Sequence, residues 1–321
     1  MPILTFGELQ AELRKLYQEG DYTAALKLAN REAGRFPEFA PLLYYWRMAM
    51  SARTGHNDQA IDLLIEALDA GLWFSEVLLR RTPSFEALQA DAEFEELMEV
   101  NRHLQRTDEA LSFPLLTLRT QGQCQGESPP CPLMLALHAN ASTAVASVEF
   151  WRPAATAGWL VAVPQSKQAL WKGAFVWDDP EVAEEEIKKH FTSLIENYTV
   201  DRQRVILAGH SMGGEVALRL ALTGAIEAQG FIAIGPNGPW LNEPQRWGEV
   251  VREHHNYRLR GYLIAGEEDE AVSHSNIQAL TELLNQEGIP CELEEVPHAG
   301  HEYAPEFESS LLRGLEFIDT K

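Results

Sequence analysis

Residues 205–218 read Val205-Ile-Leu-Ala-Gly-His-Ser-Met-Gly-Gly-Glu-Val-Ala-Leu218, and their order decides the architecture. An unbroken apolar run such as Val205-Ile-Leu-Ala208 is how a parallel strand buried on both faces reads. It passes directly into Gly209-His210-Ser211-Met212-Gly213, and helical composition follows. This is G-x-S-x-G between a strand and a helix, the setting of a nucleophile elbow. The serine occupies a strained turn, and side chains two residues away on either side would collide there, which accounts for both glycines. The turn lifts the hydroxyl clear of the sheet and sets it at the positive end of a helix, where developing negative charge is favoured.

The surrounding sequence supports a sheet of several such strands. After Asp108, β-rich runs at 113–118, 133–138, 159–163, 205–208, 231–234, 262–265 and 292–296 alternate with amphipathic stretches at 182–198, 215–222, 276–287 and 307–318. Strands alternating with helices of that length predict βαβ crossovers and a mostly parallel sheet flanked by helices, an α/β fold. Before Asp108 only helical periodicity occurs, as in Leu9, Leu13, Leu16 and Tyr17, or Ile61, Leu64, Ile65 and Leu68. The chain is therefore expected to divide into an all-α domain at 1–108 and an α/β domain at 109–321, joined near 105–111.

Two family resemblances follow from these residues. Gly20-Asp-Tyr-Thr-Ala-Ala-Leu26 is echoed 35 residues later by Gly55-His-Asn-Asp-Gln-Ala-Ile61, and Pro37 falls where a helix-ending proline is common. The helical region thus resembles tetratricopeptide repeats, whose period is about 34 residues, with a plain helical bundle as the alternative. Residues 109–321 resemble the α/β-hydrolase superfamily, above all its carboxylesterase/phospholipase and dienelactone-hydrolase-like members.

That resemblance implies an acid and a histidine after the serine, in that order, each on a loop following a strand. Gly261-Tyr-Leu-Ile-Ala-Gly266 with the acidic run Glu267-Glu-Asp-Glu270 is similar to the family's acid loop, and its register favours Asp269, with Glu268 as the alternative. In Pro297-His-Ala-Gly-His-Glu-Tyr303 the flanking glycine and aromatic favour His301 over His298. The resemblance also implies an oxyanion hole made by the amides of Met212 and Asn140. The latter lies in His138-Ala-Asn140, where Ala139 replaces the family's usual glycine. Trp171, Trp177 and Trp240, in loops after strands, are expected either to wall a substrate pocket or to pack the loops.

Composition narrows the functions. The chain has 321 residues with 26 Lys+Arg against 48 Asp+Glu, a formal charge of −22, of which −8 falls before residue 110 and −14 after it. A surface this negative is repelled by phosphate backbones and anionic lipid, so neither nucleic acid nor membrane is an expected partner. No stretch approaches the ~20 apolar residues of a membrane span. The start lacks a basic region followed by an apolar one, and a cytoplasmic location is expected. Three sparse cysteines, Cys124, Cys131 and Cys291, suggest reduced thiols, although Cys124 and Cys131 flank one loop and could pair. Neither a dinucleotide nor a phosphate-binding glycine loop appears, His254-His255 lacks companion ligands, and no cofactor or metal is expected.

The reading is a serine hydrolase of a small acyl substrate, an ester or thioester, with a short peptide as a variant. Its competitor is a non-catalytic adaptor that uses the helical region to bind a protein partner. A third role for that region is self-association or restriction of the substrate entrance. The neighbours of Asp269 in the acidic run are further expected to disfavour anionic substrates.

Overall fold

A computed structural model describes residues 5–108, 115–126, 128–243, 245–254 and 258–320. The chain forms two compact units, one of Met1–Ser112 with Ala169–Lys172 and one of Phe113–Gln168 with Gly173–Lys321. Neither is a single run of sequence, because four residues from the middle of the chain belong with the helices.

The first unit contains α1 (Phe6–Glu19), α2 (Tyr22–Glu32), α3 (Ala40–Arg53), α4 (Asn57–Asp69), α5 (Glu76–Arg81) and α6 (Ala92–Arg106). Thr5 starts α1 with a capping box, its hydroxyl accepting from Glu8 N–H and the Glu8 carboxylate accepting from Thr5 N–H. The two glycines of the 35-residue echo do the same job. Gly20 ends α1 at φ 79° and Gly55 follows α3 at φ 80°, a left-handed conformation that costs glycine little. Leu9, Leu13, Ala25, Ala29, Leu43 and Met50 form one core, and Ile61, Leu64, Phe74, Phe85, Phe94 and Met98 belong to another. Beyond the helices and these turns, the tetratricopeptide likeness gains no further detail.

From Leu115 onward the chain runs β1 (Leu115–Leu118), β2 (Cys131–Leu137), α7 (Ala144–Ser147), α8 (Arg152–Thr156), β3 (Leu160–Pro164), β4 (Gln168–Trp171, of which all but Gln168 belong to the first unit), β5 (Ala174–Val176), α9 (Pro180–Asn197), β6 (Val200–His210), α10 (Met212–Leu222), β7 (Gly230–Ile234), α11 (Gln245–Glu253), β8 (Arg260–Gly266), α12 (His274–Gln286), β9 (Cys291–Val296) and α13 (Phe307–Asp319). Seven strands form one sheet in the order β1-β3-β2-β6-β7-β8-β9, parallel except for β1 against β3. The α/β architecture expected from the sequence is present, with every predicted strand of the main sheet. Residues 113 and 114 of the first, and 109–111 of the expected linker, lie outside the described residues.

Period-two alternation sorts the strand side chains between two cores. Leu133, Leu135, Leu207, Phe231 and Leu263 pack with Trp247 and Leu280 on one face, and Met134, Ala136, Ile206, Ile232 and Ile264 with Trp151, Leu311 and Ile318 on the other. The sheet order reverses between β2 and β6. In open α/β sheets, the crevice beyond the strand ends at such a reversal is where ligands bind. The chain leaves β2 at His138 and β6 at Ser211, on either side of that crevice.

The expectation of reduced thiols is corrected for one pair. Cys124 and Cys131 are joined in a disulfide with Cα atoms 5.4 Å apart, leaving Cys291 as the buried free thiol. Thr199 ties the same loop, its N–H donating to Cys124 C=O and its C=O accepting from Cys131 N–H, both at 3.0 Å. These bonds hold the two cysteines side by side, which a reading of spacing alone does not reveal. Among the described residues no helix is long and apolar enough to cross a membrane.

Alkylation of guanidine-unfolded protein without reductant should modify Cys291 alone, and reductant should raise the count to all three cysteines. Three additions without reductant would show that the bond does not form. Closing so short a loop is worth about 2 kcal/mol by chain entropy, and reduction should lower stability by that amount.

Candidate active site

Ser211 ends β6 and caps α10 with φ 56° and ψ −122°. A non-glycine residue held there stores about 1–3 kcal/mol, so its surroundings must fix it. Its N–H donates to Ile234 C=O at 2.8 Å, and its C=O accepts from Gly214 N–H at 2.9 Å and Asn237 N–H at 3.1 Å. A Cβ on Gly213 would lie 2.4 Å from the His138 carbonyl oxygen and 2.5 Å from that of Leu137, while one on Gly209 would lie 2.3 Å from the Gly213 carbonyl. The first turn of α10 therefore rests directly on the backbone that leaves β2.

The acid and histidine loops are packed as closely. Gly266 ends β8 where a Cβ would meet Ala299 C=O at 2.2 Å. Asp269 follows, its side chain 1% exposed. One carboxylate oxygen accepts from Ala271 N–H at 2.8 Å and the other from His301 Nδ1–H at 2.7 Å. That bond sets the tautomer, so His301 Nε2 accepts from the Ser211 hydroxyl at 2.8 Å. Ser211, His301 and Asp269 are thus brought into one hydrogen-bonded chain. The sequence alternatives pair elsewhere: Glu268 meets His298 at 3.1 Å, both exposed. Glu267 and Glu270 are exposed as well.

The two residues whose amides the sequence singled out lie in the helix start and in the turn after β2. Met212 is the first residue of α10, where a backbone N–H has no acceptor within the helix. Asn140 lies exposed in the turn after β2. That turn is organised by His138, whose part was not legible in the sequence. His138 is fully buried, and desolvation pushes it down to about 4, so its ring is neutral. Nδ1–H donates to Ala139 C=O at 2.8 Å and Nε2 accepts from Ser166 N–H at 3.2 Å. In a trans peptide C=O and N–H point opposite ways, so fixing the Ala139 carbonyl also fixes the direction of the Asn140 N–H.

The tryptophans divide. Trp171 belongs to the helical unit, stacked on Tyr45 at 6.0 Å and bridged to Phe74 through the backbone. Trp177 is 2% exposed, donates its indole N–H to His138 C=O at 3.0 Å and lies 4.9 Å from the His138 ring. It packs against the turn after β2. Trp240 is half-buried between Trp247 at 5.1 Å and the Arg246 guanidinium at 4.4 Å. Trp171 and Trp177 are thus both engaged in packing contacts. His210, beside the nucleophile, is buried 5.2 Å from His301 and 4.6 Å from Tyr303. Burial, then the proximity of His301, pushes it down to about 4. Among the described residues no group of three or more His, Cys, Asp or Glu is placed to hold a metal ion.

The fold is that of an α/β-hydrolase. Residues 5–110 match the family model of the A/B hydrolase-like N-terminal domain, and residues 175–319 match that of Phospholipase/Carboxylesterase. The chain thus has an α/β-hydrolase fold, with the phospholipase/carboxylesterase match in its C-terminal part and the N-terminal-domain match ahead of it. No curated protein matches the sequence. An uncharacterized protein from Bacillus cereus ATCC 10987 is similar in structure across 98% of this chain and 99% of its own, with a TM-score of 0.54 and 23% identity. Esterase PE8 matches 64% of this chain and 97% of its own, with a TM-score of 0.51 and 18% identity. The fluorophosphonate-binding serine hydrolase FphF of Staphylococcus aureus, with substrate bound, matches 64% and 92%, with a TM-score of 0.51 and 13% identity. At these identities the likeness is one of fold.

A methyl group at residue 213 would press on two strand-end carbonyls that cannot retreat. Gly213→Ala should cost about 3 kcal/mol in denaturant unfolding, and an unchanged midpoint would show that the elbow has slack. The buried histidines set an acid dependence. In the unfolded chain His210 binds its proton near 6.5, in the folded one near 4, so the stability it adds above 6.5 is lost as pH falls toward 4. Between pH 7 and 5 the loss in wild type should exceed that in His210→Phe by about 1–2 kcal/mol. Equal losses in urea titrations would refute neutral burial of His210.

Proposed function

We propose that the chain is a serine hydrolase that cleaves a carboxylic ester or thioester of a small acyl substrate through an acyl-enzyme. The observation carrying this reading is the continuous chain Ser211 Oγ, His301 Nε2, His301 Nδ1 and Asp269, at 2.8 and 2.7 Å, on a nucleophile elbow. His301 accepts the Ser211 proton as the oxygen attacks the acyl carbon, and Asp269 stabilises the imidazolium. The amides of Met212 and Asn140 receive the oxyanion. Removing one such donor costs about 2.7–4 kcal/mol in the transition state. His301 then protonates the leaving alcohol or thiol, and water repeats the sequence to release the acid. This chemistry needs no cofactor.

The phospholipase/carboxylesterase match and the fold shared with esterase PE8 and the fluorophosphonate-binding hydrolase support ester hydrolysis as the activity class. The helical unit, with cores of its own, is the part we assign to a protein partner or to self-association. The cytoplasmic location expected from the sequence stands against the Cys124–Cys131 bond, which a reducing cytosol does not favour.

A fluorophosphonate probe should label wild type and leave Ser211→Ala unlabelled, and Ser211→Ala should lose at least about 10³-fold in kcat on p-nitrophenyl esters. His301→Ala should fall comparably, whereas His298→Ala should keep activity within about threefold because its ring pairs with exposed Glu268. An unreactive wild type would remove the hydrolase reading, and loss confined to His298→Ala would move the base to His298.

A further inference from the structure

The loop after β7 is bonded to both halves of the site. Gly235 N–H donates to Ile264 C=O at 2.7 Å, and a Cβ there would lie 3.1 Å from the Asp269 carboxylate and 3.2 Å from His301 Nδ1. Two residues on, Asn237 N–H donates to Ser211 C=O at 3.1 Å, and its side-chain amide donates to Ala271 C=O at 3.0 Å. Ala271 N–H in turn donates to Asp269. The segment 235–241 is a strap laid from the nucleophile elbow to the acid loop.

Glu215 fastens the strap's far end. It lies in the first turn of α10, 7% exposed, and its carboxylate accepts from Leu241 N–H at 2.9 Å. Gly238 sits so close that a Cβ would be 2.3 Å from a carboxylate oxygen. Burial pushes its protonation up, while the amides of Leu241 and Trp240, then Arg219 and Arg246, pull it back. The helix terminus also favours the anion. A buried carboxylate facing backbone amides is an expensive way to hold a loop unless that loop's position matters.

We propose that Glu215 is a positioning residue that acts through the 235–241 strap to keep the Ser211 elbow in register with the Asp269–His301 pair. This rests on the triad reading of the preceding section. Glu215 touches no reacting atom, so its effect should fall on the alignment of the proton transfer. Misplacement of a catalytic group by about 1 Å can cost up to 10²-fold in rate.

The test is turnover of p-nitrophenyl acetate by wild type, Glu215→Ala, Glu215→Gln, Asn237→Ala and the Glu215→Ala/Asn237→Ala double variant, each normalised to the sites titrated by a fluorophosphonate. Per titrated site, Glu215→Ala should lower kcat about tenfold with KM within about twofold. Glu215→Gln should keep most of the rate, because its amide oxygen accepts the same N–H bonds. The double variant should be no slower than the slower single, since both act through one strap. A merely structural role would reduce the number of titrated sites and leave kcat per site unchanged. That result, or losses that multiply in the double variant, overturns the proposal. If Glu215→Ala does not fold, Asn237→Ala decides, and wild-type kcat in that variant overturns it. A wild type that takes no probe removes the triad reading first, and the strap's role with it.

Discussion

The contact between the first turn of α10 and the carbonyl ends of β2 is the constraint on which the site depends. Nothing wider than a hydrogen atom fits between Gly213 and the backbone of Leu137 and His138. The same approach supports the strained Ser211 conformation and sets Met212 beside the turn that carries Asn140. It requires β2 and β6 to be neighbours in register, Leu137 opposite Gly209, and the sheet order supplies that pairing. Remove the sheet's reversal at β2 and β6, and the elbow and the turn after β2 no longer face each other.

Electrostatics around this contact follow from burial. Three imidazoles lie close to Ser211 in sequence or in space, and two of them are sealed from water. His138 and His210 are both driven neutral by desolvation, so they serve as packing and hydrogen-bonding groups. Asp269 is as deeply buried, yet its oxygens meet N–H donors from Ala271 and His301. A buried carboxyl group is tolerated when its oxygens are hydrogen-bonded, as these are. Glu268, one residue away, points to solvent and pairs with the exposed His298. Four consecutive acids are therefore resolved by exposure, a property that register alone does not carry.

The inner strands of the main sheet were legible in the sequence because β2, β3, β7 and the second half of β6 are covered on both faces and almost wholly apolar. The elbow was legible because Gly209 faces the Gly213 carbonyl within the same five residues, although Gly213 itself is cleared for Leu137 and His138 far back in the chain. Elements whose cause lies far away in sequence were not. β4 and β5 have four and three residues, too short for a periodicity to register. The segment containing Trp171 belongs to a unit formed about a hundred residues earlier. Its tryptophan reads as a loop aromatic only until Tyr45 and Phe74 are seen beside it. α11 presents few apolar positions, with Trp247, Gly248 and Val251 buried, and a pattern that sparse resembles a polar loop. The Cys124–Cys131 bond depends on Thr199 tying both sides of the loop.

Glu215 shows this limit most sharply. In sequence it is an acid in the first turn of a helix, a placement that the helix dipole explains by itself. Its cost becomes visible only when the carboxylate is found buried beneath Gly238 and Leu241, in a loop that follows a later strand. Backbone amides gathered around a carboxylate hold a loop more firmly than an apolar contact, because directed bonds resist sliding as well as separation. A hydrogen-bonded chain drawn from three loops, as Ser211, His301 and Asp269 are, needs that resistance, since each bond in it tolerates only small displacements.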